Sequence, residues 1–502
     1  MKQYFSFSVW GSEQWLIILL FFMISVLVRW PNLDRPLSKH HEFVTSISLR
    51  VLQSWEENGI AETHFSPGMN YGARENKFID NHATSLGNMH DDKGNFYYIS
   101  HPPFAYLLPY ACFQMVGAKA SVLNLQIFHL LINLLSVIFI VLIVRKIDAD
   151  PKVALFSGII YLFLPATLWF QSNTYMSDML VHVFFLIGIL LFLKLKDSTS
   201  LLLSALFLLN LCVMTYTSWL GVFFTCIVCC WAIFKMSGPI RFTIILTSVV
   251  GCASALGITY IQYGSIAGND VFLDQLFDRL ALRGSNSSDN SGGVIVSKSK
   301  EIGYLIFNYA VHYWYLFLLV LSAIIMGRRK ELPNFLDEHK SFILISTLPI
   351  IVLHLALLNY STHDFTVLYS SAFFSIIGAI SLLYIFKKKQ AGYLMIVIAL
   401  GCIHYYVINL PGETSIKGIK YSESMDLGQT IASQLETEEV GFILEEKLDP
   451  MVIYYAHRNI KTVQSEGEAE IWLNDFNCLR GRLFYYKGGV LHSKQIQSKH
   501  GN

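Results

Sequence analysis

Four short stretches of this chain carry side chains that could do acid–base or phosphate chemistry. In KHHEFVTSISLR (39–50), Glu42 follows His40 and His41 where a helix is expected to start. A carboxylate flanked by imidazoles at a helix N-terminus suits a catalytic or metal-binding role. The competing reading is a helix-start acid worth a few tenths to about 1 kcal/mol. In SNTYMSDMLVHVFF (172–185), Asp178 stands where polar sequence gives way to an apolar run. Ionisable groups there are costly and commonly functional, although Ser177 and Asp178 also make good helix caps. NYSTHDFTVLYSSAFF (359–374) places His363 and Asp364 at a comparable boundary, with the same capping alternative. In YYISHPPFAYLLPY (97–110), Pro102 and Pro103 fix φ and keep the preceding residues out of the next helix. His101 is therefore held on rigid, non-helical backbone where the apolar run begins. Arg279 and Arg283 are further cations expected on the outer side, each also readable as an arginine snorkelling to a headgroup.

The elements that must position these groups are mostly apolar. The chain has 502 residues, 53% hydrophobic and 15% charged, with mean hydropathy +0.46. A soluble protein of this size needs more surface charge, so the composition describes a polytopic membrane protein. The net charge of +1 supplies no attraction for nucleic acid. Seven of the eight cysteines lie in apolar runs and only Cys478 in polar sequence, which reads as small buried hydrophobes and not as a disulfide framework or metal-binding spacing.

Apolar runs at 15–29, 122–144, 152–171, 177–194, 199–214, 218–234, 240–262, 303–326, 341–359, 365–386 and 391–409 predict about eleven spans, the first an uncleaved anchor. The turns at 145–152, 194–198, 235–241, 327–340 and 387–390 are basic, whereas those at 172–176, 215–217 and 360–364 lack Lys and Arg. The basic set is expected to be cytoplasmic, with the N-terminus inside and a multi-pass placement in the plasma (inner) membrane. Residues 31–121, 263–302 and the tail then lie outside. The cytoplasmic face has only short turns, and no Walker-type or G-x-G-x-x-G loop is present, which argues against ATP-driven work.

The first outer loop, 31–121, is expected to carry an interfacial helix from about Glu42, with Phe43, Ile47, Val51 and Leu52 as its apolar stripe. DVFLDQLFDRLALRG in the second, 263–302, has amphipathic spacing, and SNSSDNSGG after it reads as a loop. Beyond Pro411, strand, helix, strand, helix and strand patterns alternate, predicting a small outer α/β domain over 411–502 after a transmembrane domain over 1–410. On this topology Glu42, His101, Asp178, His363 and Asp364 all fall at the outer boundary. That shared placement suggests a site for a lipid-borne substrate.

Several of these features recur in order over 15–409: an early first span, an acid (Glu42) on an interfacial helix opening the first outer loop, SHPPFAY leading into an apolar helix, LPATLWFQSNTYMSDMLVHVFF with its proline and Asp178, and HDF at a late span. With the small outer C-terminal domain, this ordered set resembles the GT-C superfamily of integral membrane glycosyltransferases, in the protein O-mannosyltransferase and aminoarabinose transferase branch. The resemblance implies a mainly α, GT-C-like fold and transfer of a sugar from a polyprenyl-phosphate donor to a protein, lipid or glycan acceptor at the extracytoplasmic face. It also implies that Glu42 is the base or organises the acceptor nucleophile and that Asp178 is a second essential acid. His41, His101, Arg279, Arg283, His363 and Asp364 are the accompanying substrate-binding candidates. Aminoarabinose transferases have an acid–Lys–Pro–Pro pattern where this chain has Ser100–His101–Pro102–Pro103; Ser100 cannot replace a carboxylate ligand, so no cofactor is assigned and a divalent metal has no acid there. The main alternative is a secondary transporter or lipid flippase, which would need midplane ionisable groups or internal repeats that the sequence does not display. A non-catalytic scaffold is the third reading.

Overall fold

The computed structural model describes residues 11–38, 40–80, 89–148, 150–198, 200–284, 294–325, 337–386, 388–408 and 422–498. The SNSSDNSGG loop, most of the basic turn 327–340 and the expected boundary at 410/411 lie outside them. In chain order the helices are α1 (Ser12–Arg29), α2 (Glu42–Asn58), α3 (Phe104–Val116), α4 (Val122–Ile147), α5 (Pro151–Phe163), α6 (Pro165–Phe170), α7 (Ser177–Leu195), α8 (Leu201–Thr217), α9 (Leu220–Lys235), α10 (Gly238–Ala267), α11 (Asn269–Arg283), α12 (Val294–Ile325), α13 (Lys340–Ala356), α14 (Ser371–Ile385), α15 (Lys388–Ile408), α16 (Glu423–Gln434), α17 (Pro450–Ala456) and α18 (Glu466–Asp475). The strands are β1 (Val440–Leu444), β2 (Ile460–Val463), β3 (Arg480–Lys487) and β4 (Val490–Gln497).

The chain divides into two compact units, one of residues Met1–Leu33, Gln126–Gly257 and Arg279–Pro411, the other of Asp34–Leu125, Ile258–Asp278 and Gly412–Asn502. Each apolar run read from the sequence is helical over most of its described length. Among the described residues, seven helices are long and apolar enough to cross a membrane, and five shorter apolar helices accompany them. The protein is accordingly multi-pass by length and composition.

The first unit is a helical bundle. The run expected over 152–171 is broken at Leu164 (φ −55°, ψ 135°), because Pro165 has no N–H to continue the ladder and pushes its predecessor out of the helical region. The short α6 that follows ends at Phe170, and its Thr167 carbonyl accepts the Gln171 N–H (3.1 Å). Arg29, fully buried, adds donors to two carbonyls at this end: Nε donates to the Leu168 carbonyl (3.1 Å) and Nη2 to that of Thr167 (3.2 Å), while Nη1 donates to Ser25 Oγ (2.9 Å). A cation at the negative end of a helix dipole is the favourable pairing. This fixes the path of the polar stretch leading to Asp178.

The second unit is built on a four-stranded sheet of order β2-β1-β3-β4, in which β1 runs parallel to β2 and β3, and β4 is antiparallel to β3. The alternation along β1 feeds two cores. Ile443 packs with Phe484, Ile431 and Val452 on one face, and Val440 and Phe442 pack with Leu483 and Leu473 on the other. The segment after α2 contributes to both, through Tyr71 on the first face and Ile79 on the second. The α/β alternation read from the tail is present; α16 and the edge strand β4 are additions to it. The helix expected from about Glu42 starts at that residue, but its burial is not a single stripe. Val44, Ile47, Leu49, Val51, Leu52 and Trp55 are all buried, as is Arg50. Within this unit α2 packs against both α3 and α17, so more than one face is covered.

Candidate functional site

In the second unit, Glu42 is the first residue of α2 and is 1% exposed. Its carboxylate folds back over the strap that precedes it. Arg35 closes a two-pronged ion pair, Nη2 to Oε1 at 2.7 Å and Nη1 to Oε2 at 3.0 Å, and the Ser38 N–H donates to Oε2 at 2.8 Å. Such bidentate, charge-assisted pairs are among the stronger side-chain contacts. The strap is tightly wound: Asp34, His40 and His41 all have left-handed φ (56°, 46° and 65°). That conformation is unfavourable for residues with a Cβ and is kept only where the surroundings enforce it. The rings of His40 and His41 lie 5.3 Å apart.

The C-terminal module enforces part of it. Tyr455, on α17, accepts a 2.6 Å bond from the Leu37 N–H through its hydroxyl. Burial pushes this phenol up to about 12, and the Glu42 charge acts in the same direction. Tyr455→Phe leaves the Leu37 N–H without its acceptor. It is expected to cost about 1–3 kcal/mol and to loosen the strap, read as a lower unfolding midpoint together with weaker function of the Glu42 group. His101 belongs to the same unit. It is 2% exposed, its carbonyl accepts the Tyr263 hydroxyl (2.6 Å), and its ring faces that of Tyr98 at 6.5 Å with 29° between the planes. The helix begins three residues later at Phe104, as the double proline predicts.

The segment after α2 also carries a pH signature. Lys77 Nζ donates to Asn58 Oδ1 (2.6 Å) and Asn95 Oδ1 (2.7 Å). Burial pulls its ammonium down from 10.5 to about 8, against the raising effect of Asp91 and Glu57. Between about pH 8 and 10 the unfolded chain therefore holds more protons than the folded one, and stability rises with pH across that window. Thermal unfolding in an uncharged detergent is expected to give a higher midpoint at the top of the window than at neutral pH, and Lys77→Met should flatten the difference.

In the first unit, Asp178 is 1% exposed in the first turn of α7. The capping alternative does not describe it: the cap residue is Met176, with no side-chain cap bond. The Asp178 carboxylate instead gathers two phenols, Tyr360 donating to Oδ2 (2.6 Å) and Tyr369 to Oδ1, with Ser177 Oγ at 3.3 Å from Oδ2. The Arg283 guanidinium lies over the Tyr360 ring, 4.5 Å from its centroid, and the Arg283 carbonyl accepts the Asn359 N–H (3.0 Å). Tyr360 thus links an anion at its hydroxyl to a cation on its face.

The residues after the two tyrosines form a second network. Ser361 Oγ lies 2.8 Å from His354 Nδ1, His354 Nε2 lies 2.9 Å from Tyr309 Oη, and Tyr309 Oη lies 2.8 Å from Ser370 Oγ. His363 stacks on Phe365 (5.2 Å, 6°), and Asp364 Oδ2 lies 3.7 Å from His312 Nε2. Arg279 is buried at 8% exposure.

The structure thus brings Asp178 and Arg283 together through Tyr360, with His363 5.9 Å from the same ring. Arg35, Tyr360, Tyr369 and Tyr455 are additions to the residues read from the sequence. The available signals were a lone arginine seven residues before Glu42 and the tyrosines inside the quoted NYSTHDFTVLYSS. In the set His40, His41 and Glu42 the carboxylate charge is already paired with Arg35, which makes the set a poor host for a divalent ion. Among the described residues no group of three or more His, Cys, Asp or Glu could hold a metal ion.

Solved structures share this architecture. ArnT from Cupriavidus metallidurans, bound to undecaprenyl phosphate, matches with a TM-score of 0.60 over 95% of this chain and 93% of that one, at 13% identity. The archaeal oligosaccharyltransferase AglB from Archaeoglobus fulgidus, in complex with an inhibitory peptide and a dolichol-phosphate, matches at 0.58 over 98% and 75%, at 12% identity. This chain has the GT-C fold. No family model matches the sequence, and no curated protein does. The GT-C fold therefore shows itself in the arrangement of helices and the small C-terminal sheet, at identities where sequence alone carries little.

Proposed function

We propose that this protein is a membrane glycosyltransferase that moves a sugar from a polyprenyl-phosphate donor to an acceptor at the extracytoplasmic face. The observation that carries the reading is the likeness to ArnT over nearly the whole of both chains, in a structure that holds undecaprenyl phosphate. The Archaeoglobus fulgidus oligosaccharyltransferase structures, one with a dolichol-phosphate and one tethered with an acceptor peptide, are consistent with it. The basic turns face the cytoplasm in this reading.

A sugar phosphate carries its own leaving group, so the protein needs a base, a cation for the departing phosphate and control of water. The acceptor oxygen attacks the anomeric carbon as the bond from that carbon to the phosphate oxygen breaks. The electron pair leaves with the phosphate, and the acceptor proton passes to the base. Glu42 is assigned the acceptor side, as base or as the group that orients the nucleophile. Arg35 and Ser38 use two acceptor sites on Oε2 and one on Oε1, so the second lone pair of Oε1 is the site assigned to the proton. Arg283, set on the Tyr360 ring, is assigned the phosphate, with His101, His41, Arg279, His363 and Asp364 as further binding candidates. A single displacement inverts the anomeric centre.

The test is reconstitution of the purified chain in liposomes with a radiolabelled polyprenyl-phosphate sugar and a mixed pool of lipid, glycan and peptide acceptors. Release of polyprenyl phosphate with label appearing in an acceptor is the expected result. Movement of intact donor across the bilayer without transfer would instead establish the flippase alternative.

A further inference from the structure

A groove on the first unit plays no part in that chemistry. It has a volume of about 290 Å³ and is lined by α4, α7 and α8, through Phe139, Ile187, Leu191, Leu209, Asn210 and Lys194 among others. Its one buried amide is used internally: Asn210 Nδ2 donates to the Phe184 carbonyl at 3.1 Å. Gly188 makes room for this, since a Cβ there would lie 3.1 Å from Asn210 Nδ2 and 3.2 Å from the Phe224 ring. The groove therefore offers hydrocarbon along its length and one charge, Lys194, at its end.

Its length and polarity select an occupant. From Phe184 to Lys194 the α7 wall rises about 15 Å at 1.5 Å per residue, roughly half of a hydrocarbon core about 30 Å thick. It spans one leaflet, and its charged end lies among the basic turns that carry Arg145, Lys146, Lys194 and Lys196. Lys194 is the cation that lines the groove itself. We infer that the groove binds one acyl chain of an anionic phospholipid from the leaflet on the side of the basic turns, with the headgroup phosphate at Lys194.

Native mass spectrometry of the full-length protein in detergent tests this, with phosphatidylglycerol and phosphatidylcholine of identical chains. The wild type is expected to retain phosphatidylglycerol in roughly fivefold excess, the discrimination that one lysine gives near anionic lipid. Lys194→Ala should bring the two lipids level, and Leu209→Trp, which narrows the groove from its rim, should reduce both. Equal retention of the two lipids by the wild type, or discrimination that survives Lys194→Ala, overturns the proposal. So does displacement of phosphatidylglycerol by equimolar undecaprenyl phosphate, which would make this a site for the carrier. Because Lys194 is half-buried at the end of a helix, its variant keeps the test valid if the tryptophan variant does not fold.

Discussion

Glu42→Gln is expected to lower sugar transfer by about 10²- to 10⁴-fold, the range supplied by a positioned general base, in a protein that still inserts and folds. The amide keeps one acceptor oxygen, which in the place of Oε2 still accepts the Ser38 N–H and one prong of Arg35. Its NH₂ then points a donor at a donor, where Glu42 had accepted from both sides. A loss of transfer could therefore come from missing chemistry or from an uncompensated Arg35. The double variant Arg35→Gln/Glu42→Gln separates the two, because it removes the stranded charge along with the carboxylate. If Glu42 acts on the acceptor, the double variant stays as slow as Glu42→Gln. If the carboxylate only holds Arg35, activity returns toward that of Arg35→Gln alone. Full activity in Glu42→Gln removes the residue from the mechanism.

Asp178→Ala is expected to have the largest effect on stability. It leaves the Tyr360 and Tyr369 hydroxyls buried without an acceptor, at about 1–3 kcal/mol each, in addition to the small cavity left behind. Asp178→Asn retains one acceptor oxygen and should cost less. Both should impair transfer, because the Tyr360 ring that supports Arg283 loses its anchor. Tyr360 itself distinguishes anchor from platform. Tyr360→Phe keeps a ring beneath the guanidinium and should be milder than Tyr360→Leu, which also gives up a cation–π contact worth about 0.5–2 kcal/mol. Thermal unfolding in nanodiscs and transfer kinetics measured on the same samples check the order; equal defects in Phe and Leu would show that the ring face is irrelevant.

Most of the fold was legible because a membrane imposes it. Apolar runs of near-constant length, alternating basic and Lys/Arg-free turns and a tail of alternating strand and helix patterns each report directly on a physical constraint. The double proline before Phe104 was equally readable, since its effect on the backbone is local. What the sequence hid were pairings across long separations. Nothing near Asp178 announces that its partners are tyrosines 182 and 191 positions away, and Tyr455 sits 418 positions from the N–H it serves. The α2 helix misled for the same reason. Its stripe was real, but a second covering element, α17, arrives from the far end of the chain. Arg29 looked like the end of a span, whereas the Pro165 break, well over a hundred residues on, turns it into a cap.

The segment Tyr360–Ser370 carries the same dipeptide, Tyr-Ser, at both ends. Its two tyrosines close on one carboxylate and its two serines on one His–Tyr pair. A stretch secured twice at each end has already surrendered its conformational entropy during folding, before any ligand arrives. A charged headgroup meeting it would incur no ordering penalty, so capture should proceed at a rate set by diffusion in the bilayer and not by loop closure. Cutting one clasp, for example with Ser370→Ala, would then slow association while leaving the rate of departure nearly unchanged.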